Sequence, residues 1–146
     1  MKSKNRLALV LLAIVALPLL SACGGSSDTS SESGPALVEP IEGTDLSRIT
    51  VTAKAAERLD IQTTAVQGAA GDGKQTVIPY AAVLYQPNGE TWTYVSPKPL
   101  TFVRERIVID RIDGDRVVLS KGPAPGTKVA TVGVAELFGA ESGIGQ

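Results

Sequence analysis

The stretch TWTYVSPKPLTFVRERIVIDRIDGDRVVLS, Thr91 to Ser120, decides the fold. Thr91 to Val95 is aromatic and β-branched, with Trp92 and Tyr94 two residues apart and therefore on one face of a strand. Pro97 and Pro99 flank a turn, Phe102 to Ile109 reads as the next strand, Asp113-Gly114 turns the chain, and Arg116 to Leu119 runs back. Upstream, Gln86-Pro87-Asn88-Gly89-Glu90 carries the Asn-Gly pair that a tight hairpin favours. Before it, Thr76 to Tyr85 is strand-like, with Pro79 predicting an edge position or a bulge. Downstream, Gly122 to Gly126 is a rigid connection and Lys128 to Val132 a closing strand. Nearer the N-terminus, Arg48 to Val51 is a short strand, and Thr52 caps a brief helix over Ala53 to Leu59. Ala55, Ala56 and Leu59 share one face of that helix, and Ile61 to Val66 returns to strand. The pattern predicts a mainly β chain: a single small antiparallel β-barrel-like domain over 46–139, with roughly six or seven short strands and one short helix. A segment of that length is expected to hold one modest core, not two.

Before residue 46 the composition changes. Lys2, Lys4 and Arg6 precede Leu7 to Leu20, which has no charge, and Leu20-Ser21-Ala22-Cys23 follows. A basic start, an apolar run too short to span as a helix and small residues at the end read as a secretory signal. Leu-Ser-Ala-Cys resembles the bacterial lipoprotein signal. The resemblance implies cleavage between Ala22 and Cys23, lipidation of Cys23 with palmitate-like chains, and residence on the extracytoplasmic face of the cell membrane. Residues 1–22 are then a signal peptide outside the fold, and 23–45 a lipidated cysteine with a flexible Gly/Ser linker. Residues 140–146 read as a frayed tail. Removing Lys2, Lys4 and Arg6 leaves 11 basic against 15 acidic residues, a net charge of −4. Such a body has no basic stripe for nucleic acid, and it is held at a bilayer by acyl burial of about 0.8 kcal/mol per CH₂ rather than by charge.

The side chains that carry most chemistry are missing. The chain has no histidine, its one cysteine is Cys23 and its one methionine is Met1. No catalytic residue, metal ligand or cofactor site is expected, and the reading is not an enzyme. Gly68-Ala69-Ala70-Gly71-Asp72-Gly73-Lys74-Gln75 approaches a phosphate-binding loop, but Gln75 lacks the hydroxyl that Mg²⁺ needs, and a strand rather than a helix follows. Asp110, Asp113 and Asp115 around Gly114 read as a solvated turn, without EF-hand spacing. Four residues are candidate partner contacts: Trp92 and Tyr94 as an aromatic pair, and Arg104 and Arg106, two apart on a strand and able to receive carboxylates.

Taken in order, several of these segments resemble the periplasmic adaptor (membrane fusion protein) family of RND-type efflux pumps. Leu59-Asp60-Ile61-Gln62-Thr63 is similar to that family's Leu-Gly-Ile-x-Thr stretch, and Val77-Ile78-Pro79-Tyr80-Ala81-Ala82-Val83 to its late Val-Pro-x-x-Ala-Val strand. Trp92-Thr93-Tyr94-Val95, Gly114-Asp115-Arg116-Val117, Pro125-Gly126-Thr127-Lys128-Val129 and Glu136-Leu137 resemble its C-terminal run. Asp60 and Asp110 depart from its usual Gly, and Pro123 from its usual Leu. The family's barrel, lipoyl domain and helical hairpin would sit between Val66 and Thr76, where only nine residues stand. The resemblance therefore implies a membrane-proximal module alone, whose partners are membrane lipid through Cys23 and a transporter or full-length adaptor. The residues also admit an envelope lipoprotein that binds a small ligand or cell-wall component without any pump. The lipid assignment has a direct check: Cys23→Ala should yield an uncleaved or mis-cleaved precursor with no acyl mass increment by mass spectrometry.

Overall fold

The computed structural model describes residues 34–69 and 74–143. Residues 1–33, which contain the signal expectation, Ala22 and Cys23, lie outside the described residues, as do 70–73 and 144–146. Ten strands and two α-helices follow in the order β1 (Ala36–Pro40), β2 (Ser47–Val51), α1 (Ala53–Arg58), β3 (Gln62–Ala65), β4 (Gln67–Gly68), β5 (Thr76–Pro79), β6 (Leu84–Tyr85), β7 (Thr91–Lys98), β8 (Thr101–Asp113), β9 (Arg116–Lys121), β10 (Lys128–Val132) and α2 (Val134–Glu141). The protein is mainly β, a nearly closed antiparallel barrel-like sheet, as the strand pattern predicts; α1 is the one helix expected and α2 is additional to it. Pro79 ends β5 and starts a 3₁₀ turn over Tyr80–Ala82, so its missing N–H interrupts no ladder.

The sheet runs β3-β10-β7-β8-β9-β5-β4. Its ends meet because β3 and β4 are separated in the chain only by Val66, whose N–H donates to the Thr127 carbonyl at 2.8 Å. One bent segment thus pairs with β10 on one side and β5 on the other. β8 does the most work in the architecture. On one edge it pairs with β7; on the other, Thr101 to Val103 pairs with β2 and Val108 to Asp113 with β9. Register shifts between Val108 and Arg111 bend the strand where the partner changes. The first half therefore carries β2 and β1 as an outer flap, while the second half closes the barrel.

That fork gives two cores, not the single one expected from length. Val66, Ile78, Ile107, Val117, Leu119 and Val129 fill the barrel. Ile49, Val51, Tyr94, Phe102, Ala130 and Leu137 fill a second core outside it. Successive strand residues point to opposite faces, so Val129 enters one core and its neighbour Ala130 the other. The same reason leaves both Thr93 and Tyr94 at 0 % exposure. Two segments supply the outer cover that length alone did not anticipate. Residues 36–40, expected within the flexible linker, form β1 against β2, with Ala36 opposite Val51 and Pro40 opposite Ser47. Residues 140–143, expected in a frayed tail, belong to the end of α2 and its terminal turn. Pro40 and Gly43 masked the first in the sequence: an edge strand tolerates proline at its end, and Gly43 sits in the turn that follows at φ +77°. Tertiary contacts that local composition does not encode hold the second.

α1 forms as its sequence predicts. The Thr52 hydroxyl accepts from the Ala55 N–H at 3.1 Å, satisfying one of the orphan donors of the first turn. At the other end, the Ile61 N–H donates to the Ala56 carbonyl and the Asp60 N–H to the Glu57 carbonyl, with Asp60 at φ +48°. This is a left-handed helix stop of the Schellman type, a position that glycine fills most readily. Asp60→Gly should therefore raise the midpoint of thermal unfolding, by about 0.5–1 kcal/mol of relieved strain. Gly133→Ala should do the opposite. Gly133 lies at φ +86°, and an added Cβ would come within 2.7 Å of the Ile61 side chain. A loss of about 1–3 kcal/mol, read as a fall of several degrees in Tm, is the expected result.

Candidate functional site

The four residues singled out in the sequence do share one face. Tyr94 stands opposite Arg104, and Trp92 opposite Arg106, in the β7–β8 ladder. Directly opposed residues of an antiparallel pair project to the same side. Their fates then diverge. Tyr94 is fully buried and is not a surface contact, which corrects its place among candidate partner residues. Its hydroxyl donates to Glu141 Oε2 at 2.5 Å, bridging β7 to the end of α2. Burial, and then the Glu141 carboxylate, push the Tyr94 phenol well above its ordinary range. Arg104 is turned inward as well. Its guanidinium lies 4.6 Å from the Trp92 ring centroid and 3.4 Å from Glu141 Oε1. The side chains of Arg104 and Glu141 are only 13 % and 7 % exposed. Arg106 alone remains outside, paired with Glu90 at 2.9 Å.

This cluster is a clamp. Glu141, the residue that sequence reading left in the tail, takes the Tyr94 proton donor with one oxygen and faces Arg104 with the other. Arg104 Nε, Trp92 Nε1 and Glu141 Oε1 are buried without a hydrogen-bond partner among the described residues, so the arrangement is paired in charge but not satisfied in every donor and acceptor. A half-satisfied buried network holds position at some cost in stability. Removing Glu141 would strand a buried guanidinium, a change that typically costs about 3–5 kcal/mol.

Next to α2 the surface is hollow. A groove of about 470 Å³ opens between β1, α1 and α2, walled by Ala36, Val38, Val51, Leu59 and Leu137. Glu136 is the one ionisable residue of its lining. A second hollow of about 390 Å³ continues from it across Gly34, Pro35, Ala55 and Leu59, and there the lining includes Lys54 and Arg58. The Pro35 carbonyl accepts from the Thr52 N–H at 3.0 Å, which fixes the wall common to both. A third hollow of about 710 Å³, which touches the groove at Ile61 and lies beside the β7–β8 turn, is bordered by Lys98 and Lys128. The sequence signal for the first site lay in the helix itself: Lys54 and Arg58 are one turn apart, and Leu59 follows on the face expected to pack.

Elsewhere, Tyr80 and Tyr85 form an exposed aromatic pair with ring centroids 6.3 Å apart, and burial followed by the hydrogen bond with Tyr80 raises the Tyr85 phenol. Burial lifts the Glu105 carboxyl above its usual range. Asp113 and Asp115 are exposed at the tip of the β8–β9 hairpin. Among the described residues no group of three His, Cys, Asp or Glu stands close enough to hold a metal ion, and no helix is long and apolar enough to cross a membrane. After Gln75 the chain enters β5, a strand, where a phosphate-binding loop would open a helix. No family model, curated protein or solved structure matches this chain.

The clamp has a pH signature. A phenol raised in the folded state stays protonated while its unfolded counterpart ionises near pH 10, so this contribution is intact below that pH and declines above it. Wild type should lose stability from about pH 10 upward by as much as about 1.4 kcal/mol per pH unit on account of this group. In Tyr94→Phe that slope should be shallower, measured by urea unfolding at a series of pH values.

Proposed function

We propose that this chain is a lipid-anchored, extracytoplasmic accessory module that docks on a membrane transporter, as the membrane-proximal domain of an efflux adaptor does. Asp60 carries the reading. The adaptor family uses glycine at this position, and here the backbone holds the left-handed conformation, φ +48°, that glycine serves. The residue differs from the family pattern while the conformation agrees with it. Pro123, which replaces the family's usual leucine, is buried as an apolar residue there would be. The pairing of Gly68 with Thr76 across β4 and β5 also supports the reading. Domains inserted at that point in a full adaptor would leave and re-enter the module at one spot.

The lipid on Cys23 keeps the module at the bilayer, and the exposed Arg106 of the β7–β8 face, paired with Glu90 in the free chain, exchanges that carboxylate for a partner's on docking. Crosslinking in intact membranes, followed by affinity purification of the full chain, is the test. An integral transporter subunit or a full-length adaptor should be recovered, with recovery reduced severalfold in Arg106→Glu. Recovery of the anchored chain alone would refute the docking role.

A second reading, an envelope lipoprotein that binds a small ligand without a pump, is favoured by the apolar groove between β1, α1 and α2. Such concave, mostly apolar hollows with few polar groups are the usual form of ligand sites.

A further inference from the structure

The geometry points to a binding site for one anionic single-chain phospholipid, with its tail in the apolar groove and its phosphate on Lys54 and Arg58. The inference rests on the ligand-binding reading of the groove and requires no transporter. Three observations meet here. The groove is walled by aliphatic side chains from β1, α1 and α2, and its volume of about 470 Å³ lies toward the lower end of the range of small-molecule sites, with space for one chain rather than two. The adjoining hollow shares Ala55 and Leu59 with it and adds two cations, so apolar and cationic walls are continuous. Thr52 lines the same end.

The charges give the site a direction. Lys54 and Arg58 are four residues apart on α1, on one helix face, and neither is in an ion pair among the described residues. Lys54 opposes the positive end of a helix whose first turn has no acidic residue, so its charge does not serve the helix, whereas Arg58 in the last turn suits the helix's negative end. Glu57 lies between them in the chain, and the Asp60 carboxylate accepts from Gln62 Nε2. On the α2 wall of the groove Glu136 repels an anion. A phosphate is therefore driven toward α1, where a guanidinium offers paired donors and an ammonium a point charge. A hollow of about 390 Å³ exceeds what a bare carboxylate fills and suits a glycerophosphate head.

Native mass spectrometry of the full chain, titrated with 14-carbon lysophosphatidylglycerol below its micelle threshold, tests the site. One saturable adduct per chain is expected. Lys54→Glu/Arg58→Glu should weaken it at least tenfold, and Lys54→Gln/Arg58→Gln should weaken it measurably while circular dichroism stays native. Leu59→Glu should weaken it through the tail wall. Lys98→Glu/Lys128→Glu carries the same change in net charge to the hollow beside the β7–β8 turn, which does not contain Lys54 or Arg58, and should leave affinity within twofold. Lysophosphatidylcholine, myristate and dodecyltrimethylammonium should each bind at least fivefold more weakly. Multiple unsaturable adducts, equal losses in the two Lys/Arg and Lys/Lys variants, or tighter binding of the free fatty acid or the cation would overturn the assignment. The docking role is read by crosslinking, so either idea can fail while the other stands.

Discussion

The structure depends on one wall that is buried on both sides. β7, β8 and β10 line the barrel with one set of residues and the outer core with the alternate set. A strand in that position has no solvent face, which is why Thr93 and Tyr94 are equally inaccessible. Full burial of a large apolar side chain is worth about 1.5–3 kcal/mol, and Ile49, Phe102 and Leu137 obtain it only because β1, β2 and α2 cover the outside of the barrel. The thirteen-residue β8 makes this possible by giving its first half to the flap and its second half to the barrel.

Such a cover has to be fastened, and the Tyr94–Glu141–Arg104 cluster fastens it. The contact joins residues 47 apart in the chain, so it can form only once the sheet is paired. Three polar groups facing an apolar interior are expensive to bury, and the cluster offsets this by placing phenol, carboxylate and guanidinium within reach of one another. α2, held at its end by Glu141, also carries Leu137, which packs in the outer core and borders the groove between α2, α1 and β1. The clamp and the groove thus meet on one helix, which Glu141 ties to the barrel wall.

The functional reading joins these features to the ends of the chain. A lipid on Cys23 would set the domain beside a bilayer. The Arg106 surface and the groove lie on different parts of the molecule, so partner docking and ligand binding do not compete for the same residues.

Local chemistry legible in the sequence determined much of this protein. Thr52 and the run Ala53 to Leu59 encode a capped helix, and the alternating stretches from Thr76 to Val132 encode antiparallel strands with Asn-Gly and Asp-Gly turns. These are short-range signals, settled by hydrogen bonds and steric limits within a few residues. Trp92 and Tyr94 were legible as one strand's shared face and Arg104 and Arg106 as another's, since strand periodicity is fixed, while the register that sets the two pairs opposite each other was not. Only tertiary structure decided which of the four is buried, because that depends on α2 lying over Tyr94 and Arg104 but not over Arg106. It also turned residues 36–40 into β1 and residue 141 into the clamp, segments whose composition favours no structure until a partner strand or a buried phenol meets them. Burial is a property of the assembled sheet, and a residue's own neighbours in sequence do not carry it.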